Sequence, residues 1–332
     1  MKKILFILLL FTQNTVWAQS PTEQGILLFN QKEYQEAEEI LQQQSNDGSA
    51  YATFWLGVVQ YKNRKHFQAG ETFLKAAQMG DPWAMGVLAG DTLNANSPCN
   101  YLGWPCDSKW EDKAFDGWRE QADNGNGKAI LALRVKKSYL WELIPFYRSY
   151  HSETIFYDAF RKGSNHAILK MSGWVSEEKY VRYLKLAAEQ GYAPAMETLY
   201  YHMNTIGLDE SMKWINKAIR LGYPEAARTL YLSYSLGEKD SNGNVVIQSD
   251  PKKAYYYNRL SGALGGEESD NGTIVHRRAI ENGLPISDQN GDPVFEILVT
   301  EQEQAEMDKQ VAEFVKDIKP NMFLDETSID LL

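Results

Sequence analysis

Residues 183–199 read YLKLAAEQGYAPAMETL, and the pattern returns in residues 215–230 as INKAIRLGYPEAARTL. In both stretches a run of good helix formers stops at a glycine, Gly191 or Gly222. Four residues later stands a small side chain, Ala195 or Ala226, and eight residues later a leucine, Leu199 or Leu230. Glycine takes the left-handed conformation that ends a helix without steric penalty. At 100° per residue, the small residue and the leucine project within about 40° of each other. Each stretch therefore reads as one helix ending, a tight turn, and a second helix whose buried stripe opens with a small side chain.

Working outward, the same spacing appears at Gly48, Ala52, Leu56; Gly80, Ala84, Leu88; Gly125, Ala129, Leu133; and Gly163, Ala167, Met171. A looser copy begins at Gly265 with Ser269. The glycines lie 32, 45, 38, 28, 31 and 43 residues apart, a period that belongs to stacked helical units. The chain is thus predicted to be all-helical, with one continuous core running through its repeats.

These glycine-punctuated helix pairs resemble the Sel-1-like repeat, a relative of the tetratricopeptide repeat. The resemblance rests on pieces of the second-helix pattern: Asp250, Lys253, Ala254 and Tyr257 before Gly265; Lys75, Ala76 and Ala77 before Gly80; Trp214, Lys217 and Ala218 before Gly222. Gly25, Phe29, Tyr34 and Ala37 look like a first, tetratricopeptide-flavoured repeat. It covers residues 21 to 283 and implies a right-handed α-solenoid of antiparallel helix pairs.

The departures are local. Ser97 to Trp110 form a long loop with Pro98, Pro105 and both cysteines, and residues 141–162 lack the Lys-Ala-Ala signature. Asn242-Gly243 and Asn290-Gly291 each predict a short β-hairpin insertion, the second followed by Val294, Phe295, Ile297 and Leu298. Thr300 with Glu303 reads as a capping box that opens a last helix to about Ile318, covering the final repeat.

The N-terminus carries Lys2 and Lys3, an apolar run from Ile4 to Phe11, and Val16 and Ala18 at the spacing that signal peptidase cleaves. Three segments are expected: a signal peptide at 1–18, a repeat solenoid at 19–283, and a hairpin, capping helix and tail at 284–332. Export to the periplasm or beyond follows, with no membrane span in the mature chain. That chain holds 32 basic and 44 acidic side chains, a net charge of −12, which argues against nucleic acid as a partner. Cys99 and Cys106 are the only cysteines, and an oxidising compartment predicts that they pair. Closing so short a loop stabilises by about 2.5 kcal/mol.

Chemistry is sparse. His66, His151, His166, His202 and His276 include no pair three or four residues apart, so neither a metal nor a cofactor is expected. Asp240-Asn242-Asn244 and Asp288-Asn290-Asp292 imitate the start of a calcium loop, but the second run offers Pro293 and Val299 where glycine and glutamate are required. Ser176 and Lys179 have the spacing of a penicillin-binding nucleophile pair, and cysteine-rich secreted relatives of the repeat family make penicillin binding or hydrolysis a remote alternative. Glu177 and Glu178 favour an N-cap instead, and no Lys-Thr-Gly accompanies the pair. No enzymatic activity is expected.

The face opposite the buried stripe falls at positions five and two before, and two and five after, each leucine. It includes Tyr51, Phe54, Val58 and Tyr61; Trp83 and Leu93; Lys128, Leu131 and Val135; Glu197 and Tyr201; Glu225, Arg228 and Leu232. If the first helices line the inner curve, as in tetratricopeptide arrays, this face is a protein-binding surface. Tyr51, Phe54, Trp83, Lys128, Glu197, Tyr201, Arg228 and Leu232 are its candidate contacts, the aromatics its anchors. The expected partner is an envelope protein that the repeats scaffold or regulate. The alternative is an antibacterial toxin held by an immunity protein, as some periplasmic Sel-1-like proteins do for type VI lipase effectors. Oligomeric state is left open.

Overall fold

The computed structural model describes residues 19–136, 143–240 and 242–331. The signal peptide expected at 1–18 lies outside these residues, as do 137–142 in the region of the degenerate repeat.

Helix pairs follow one another along the chain. They are α1 (Pro21–Asn30) with α2 (Tyr34–Asn46), and α3 (Ala50–Lys62) with α4 (His66–Gln78). Next, α5 (Pro82–Ala89) joins α7 (Lys109–Asp123) through a loop that holds α6 (Cys99–Leu102). Then come α8 (Gly127–Lys136) with α9 (Pro145–Arg161), and a short α10 (His166–Leu169) with α11 (Glu177–Glu189). Last are α12 (Ala193–Tyr200) and α14 (Leu208–Arg220) around α13 (Met203–Ile206), and α15 (Pro224–Leu236) with α16 (Pro251–Ala263).

The seven repeat glycines, Gly48 to Gly265, all have φ between +79° and +98°. At each, the glycine N–H and the next N–H turn back onto the preceding helix, as where Gly191 donates to Ala188 and Tyr192 donates to Ala187. This double capping ends one repeat and aims the next helix. Ala52, Ala84, Ala129, Ala167, Ala195 and Ala226 are all fully buried, which lets neighbouring helices approach closely. Leu56, Leu88, Met171, Leu199 and Leu230 are buried beside them, whereas Leu133 is half-buried.

The insertions are mixed. Asn242-Gly243 turns β1 (Glu238–Lys239) into β2 (Val245–Ile247), as the spacing predicts. Around Asn290-Gly291 only an isolated bridge forms, Ser287 with Pro293. Instead β6 (Phe295–Ile297) pairs with β3 (His276–Arg278), enclosing the small hairpin of β4 (Ile280–Glu281) and β5 (Leu284–Pro285). The ribbon therefore straddles the expected boundary at residue 283, because strand pairing reaches back across the turn. Beyond α17 (Gly272–Val275) and this ribbon, α18 (Glu301–Val315) opens on the Thr300–Glu303 capping box and packs against α16. Arg259 of α16 holds Asp308 of α18 at 2.8 Å.

After α18 the chain runs without regular structure from Lys319 to Leu331, here called the strap. Phe323 packs against the core of the C-terminal repeats, while Ile329 and Leu331 are buried in the core of the N-terminal repeats. The strap thus pins two apolar clusters together. Cys99 and Cys106 are joined. Their loop docks on α4 through Trp104, whose indole N–H donates to the His66 carbonyl at 2.8 Å.

Candidate protein-binding groove

The strap lies across the end of α1 and the starts of α3, α8, α12 and α15. Asn321 donates its N–H to Gly222 O at 2.9 Å, and Met322 donates to Asn30 O at 3.0 Å. The Asn30 side-chain amide reads Leu324 twice, donating to its O at 3.0 Å and accepting from its N–H at 2.6 Å. Phe323 stands edge-on to Tyr192 and Tyr223, with ring centroids 6.1 and 5.9 Å away. Glu326, 1% exposed, accepts from the Tyr51 hydroxyl and from Trp55 Nε1 at 3.4 Å, and Lys128 Nζ lies 2.6 Å from its other oxygen.

Electrostatics explains that seat. Tyr51 and Lys128 are the second residues of α3 and α8, so Glu326 is held by side chains from the first turns of two helices. The carboxylate raises the Lys128 ammonium pKa against the desolvation that lowers it. Burial, and then Glu326, raise the Tyr51 phenol far above its ordinary value. Asp81, the N-cap of α5, is buried as well. Burial first, opposed by the Ala84 N–H and reinforced by Glu326, lifts its carboxyl to about 7.

Of the predicted contacts, this groove brings together Tyr51 and Lys128, but their partner is the chain itself. Phe54 and Trp83 are fully buried and are corrected here: neither is exposed to a partner. Residues Ala52 to Gln60 of α3 are buried on every side, because the helix is enclosed by its neighbours and the strap. Phe54 packs on Phe73 of α4, and Trp83 packs on Trp118 of α7. Glu197 is half-buried, and its carboxyl pKa is raised by burial despite the Thr229 hydroxyl that donates to it at 2.7 Å. Arg228 is ion-paired with Glu267. Tyr201 and Leu232 remain exposed, at 59% and 43%.

Sequence reasoning missed Asn30, Phe323 and Glu326. The available signal was Met322-Phe323-Leu324 followed by Asp325-Glu326, an apolar triplet with two acids outside any helical period. The other sites behave as turn and cap chemistry. Asp240 accepts from the N–H groups of Asn242 and Asn244, and Asp288 from those of Asn290 and Asp292. Ser176 precedes α11 in extended conformation but its side chain makes no capping bond, and Lys179 pairs with Glu153 at 2.5 Å. Among the described residues no three His, Cys, Asp or Glu side chains gather as a metal site, and no helix is long and apolar enough to cross a membrane.

No family model matches the chain, and no curated protein matches it in sequence. Solved structures of similar shape include two repeat proteins. One is a protective antigen of uropathogenic Escherichia coli strains displaying an SLR fold, 15% identical with a TM-score of 0.42, over 86% of this chain and 57% of that one. The other is a Sel1 repeat protein from Oxalobacter formigenes, 20% identical with a TM-score of 0.36, over 77% of this chain and 79% of that one. This chain thus spans just over half the length of the first. Independently of those likenesses, glycine-capped helix pairs with a buried alanine four residues after each cap assign the architecture: the chain is a solenoid of antiparallel helix pairs.

Proposed function

We propose that the chain is a periplasmic or secreted protein-binding repeat protein that holds an envelope partner and turns over no substrate. The carrying observation is the patch the strap leaves open on α15 and the end of α12. Leu232 and Leu236, one turn apart on α15, are 43% and 81% exposed beside the 59% exposed Tyr201. Tyr201 is held in place by its hydroxyl contact with Thr229 at 2.9 Å. Fixed aromatic and aliphatic side chains of this kind anchor protein interfaces.

A photoreactive residue at position 232 tests this. The expected result is one covalent adduct in the cell envelope, and a purified partner that binds Tyr201→Ala at least tenfold more weakly. A patch that yields no adduct, or a partner indifferent to Tyr201→Ala and Leu236→Ala, overturns it. An adduct with an antibacterial toxin, together with protection of cells making that toxin, would assign immunity rather than scaffolding. Release by osmotic shock with Gln19 at the N-terminus checks the location.

A further inference from the structure

The strap shows what the groove along the first helices accepts. Asn30 and Gly222 read only its backbone, through the amide pair on Leu324 and the carbonyl that holds Asn321, so they ask for the strap's path, with its left-handed residue at Phe323 (φ +53°), rather than for particular side chains. Tyr192 and Tyr223 read an aromatic ring, Phe323. Tyr51 and Lys128 read a carboxylate three residues further on, Glu326. The groove is therefore a ruler for a non-helical segment that follows this path, with an aromatic side chain at the left-handed position and an acid three residues on.

The strap is only partly buried along the groove. Of residues 319–331, only Glu326, Ile329 and Leu331 are buried. Beneath Thr327 to Asp330 a cavity of about 230 Å³ remains, walled by Trp83, Trp118 and Leu131. A segment without regular secondary structure and with few buried side chains opens at far lower cost than the repeats beneath it.

We propose that the strap is an internal stand-in for a segment of a partner protein without regular secondary structure, which carries an aromatic residue and, three positions later, a carboxylate. This segment enters the groove as the strap leaves. The proposal rests on the protein-binding reading and names the chemistry of the partner. Tethering gives the strap an effective concentration on the order of millimolar, so the partner must bind well enough to displace it.

The probe is a fluorescein-labelled synthetic peptide of residues 319–331, followed by anisotropy. The full chain carrying Phe323→Ala and Glu326→Ala, with its groove intact, should bind the peptide at least tenfold more tightly than the unaltered chain. Adding Asn30→Ala or Lys128→Ala should remove most of that gain. A folded double variant that takes up no peptide, or takes it up equally with Lys128→Ala, overturns the proposal. If the double variant loses its circular dichroism, a protease site inserted between the exposed Lys316 and Asp317 gives a second route. Cut protein that exchanges its strap for labelled peptide supports the proposal, and cut protein that never exchanges overturns it. A doubled mass of the unaltered protein by light scattering, abolished by Phe323→Ala with Glu326→Ala, would assign the groove to a second copy's strap instead. The cross-link at position 232 does not involve the strap, so failure of peptide uptake and failure of the protein-binding reading remain distinguishable.

Discussion

The hydroxyl of Tyr51 donates to the carboxylate of Glu326, 275 residues further along the chain. That bond joins the second repeat to the strap, and Lys128 completes it from the other side at 2.6 Å. Removing the acid leaves the Lys128 ammonium without its counter-charge. Glu326→Ala should therefore destabilise by about 2 kcal/mol, less than the roughly 3–5 kcal/mol of a fully enclosed pair, because the Lys128 side chain stays 30% exposed. Urea unfolding of the variant against Tyr51→Phe measures this. The phenol-to-phenyl change should cost about 1 kcal/mol, since it removes one hydrogen bond and no charge.

Asp81 and His166 titrate with opposite signs. Burial lifts the Asp81 carboxyl to about 7, so the folded protein keeps a proton that the unfolded chain releases near 3.8. Its contribution to stability falls as pH rises through that window, with the full penalty above about 7. Burial, then the charge of Lys170, pushes the His166 imidazole down to about 4 from 6.5, with Asp325 pulling the other way. Its contribution falls as pH drops from 6.5 toward 4. The two slopes partly cancel in the unaltered protein. Asp81→Asn, which keeps an acceptor for the Ala84 N–H, should make stability rise more steeply with pH than in the unaltered protein. His166→Gln should make it fall with pH. Denaturation midpoints across this range decide, and parallel profiles in the two variants would contradict both assignments.

Gly191 and Gly222 separate the cap from the strap. Both have positive φ, +91° and +81°, so alanine strains the helix cap at either position. A Cβ at Gly191 meets nothing within 4 Å, whereas one at Gly222 would fall 2.0 Å from Lys319 O. Gly191→Ala should cost about 1 kcal/mol. Gly222→Ala should cost more and should also speed chymotrypsin cleavage after Phe323 in the strap. Equal cleavage rates in the two variants would show that the strap does not depend on this close approach.

The Cys99–Cys106 bridge sits against Gly90, whose added Cβ would lie 3.4 Å from Cys99 Sγ. Cys99→Ser should lower stability by about 2.5 kcal/mol in the chain-entropy estimate. The helix content measured by circular dichroism should survive, because neighbouring repeats contribute separately. Alkylation of the unreduced protein should label neither thiol, and stoichiometric labelling would contradict the pairing.

The helix pairs were legible because their determinants are local. A glycine that caps one helix, with an alanine four residues on, acts within about two turns of chain, and Ala195 and Ala226 are fully buried as their spacing predicts. The capping box at Thr300 and the Asn242-Gly243 hairpin are local in the same sense. The pairing of Phe295–Ile297 with His276–Arg278 was not legible, because a whole hairpin intervenes between the partners.

The helical projection put Tyr51 and Lys128, which meet the strap, on one face with Phe54 and Trp83, which are buried. A single-helix projection cannot tell a groove from a contact with the next helix. Periodicity by itself determined the order of the helix pairs, the positions of their caps and the small residues at their seams. Only the tertiary structure decided that the groove is filled from within. The meeting of Asn30 with Leu324, 294 residues away, depends on curvature summed over every repeat between them, and no local stretch of sequence carries that sum.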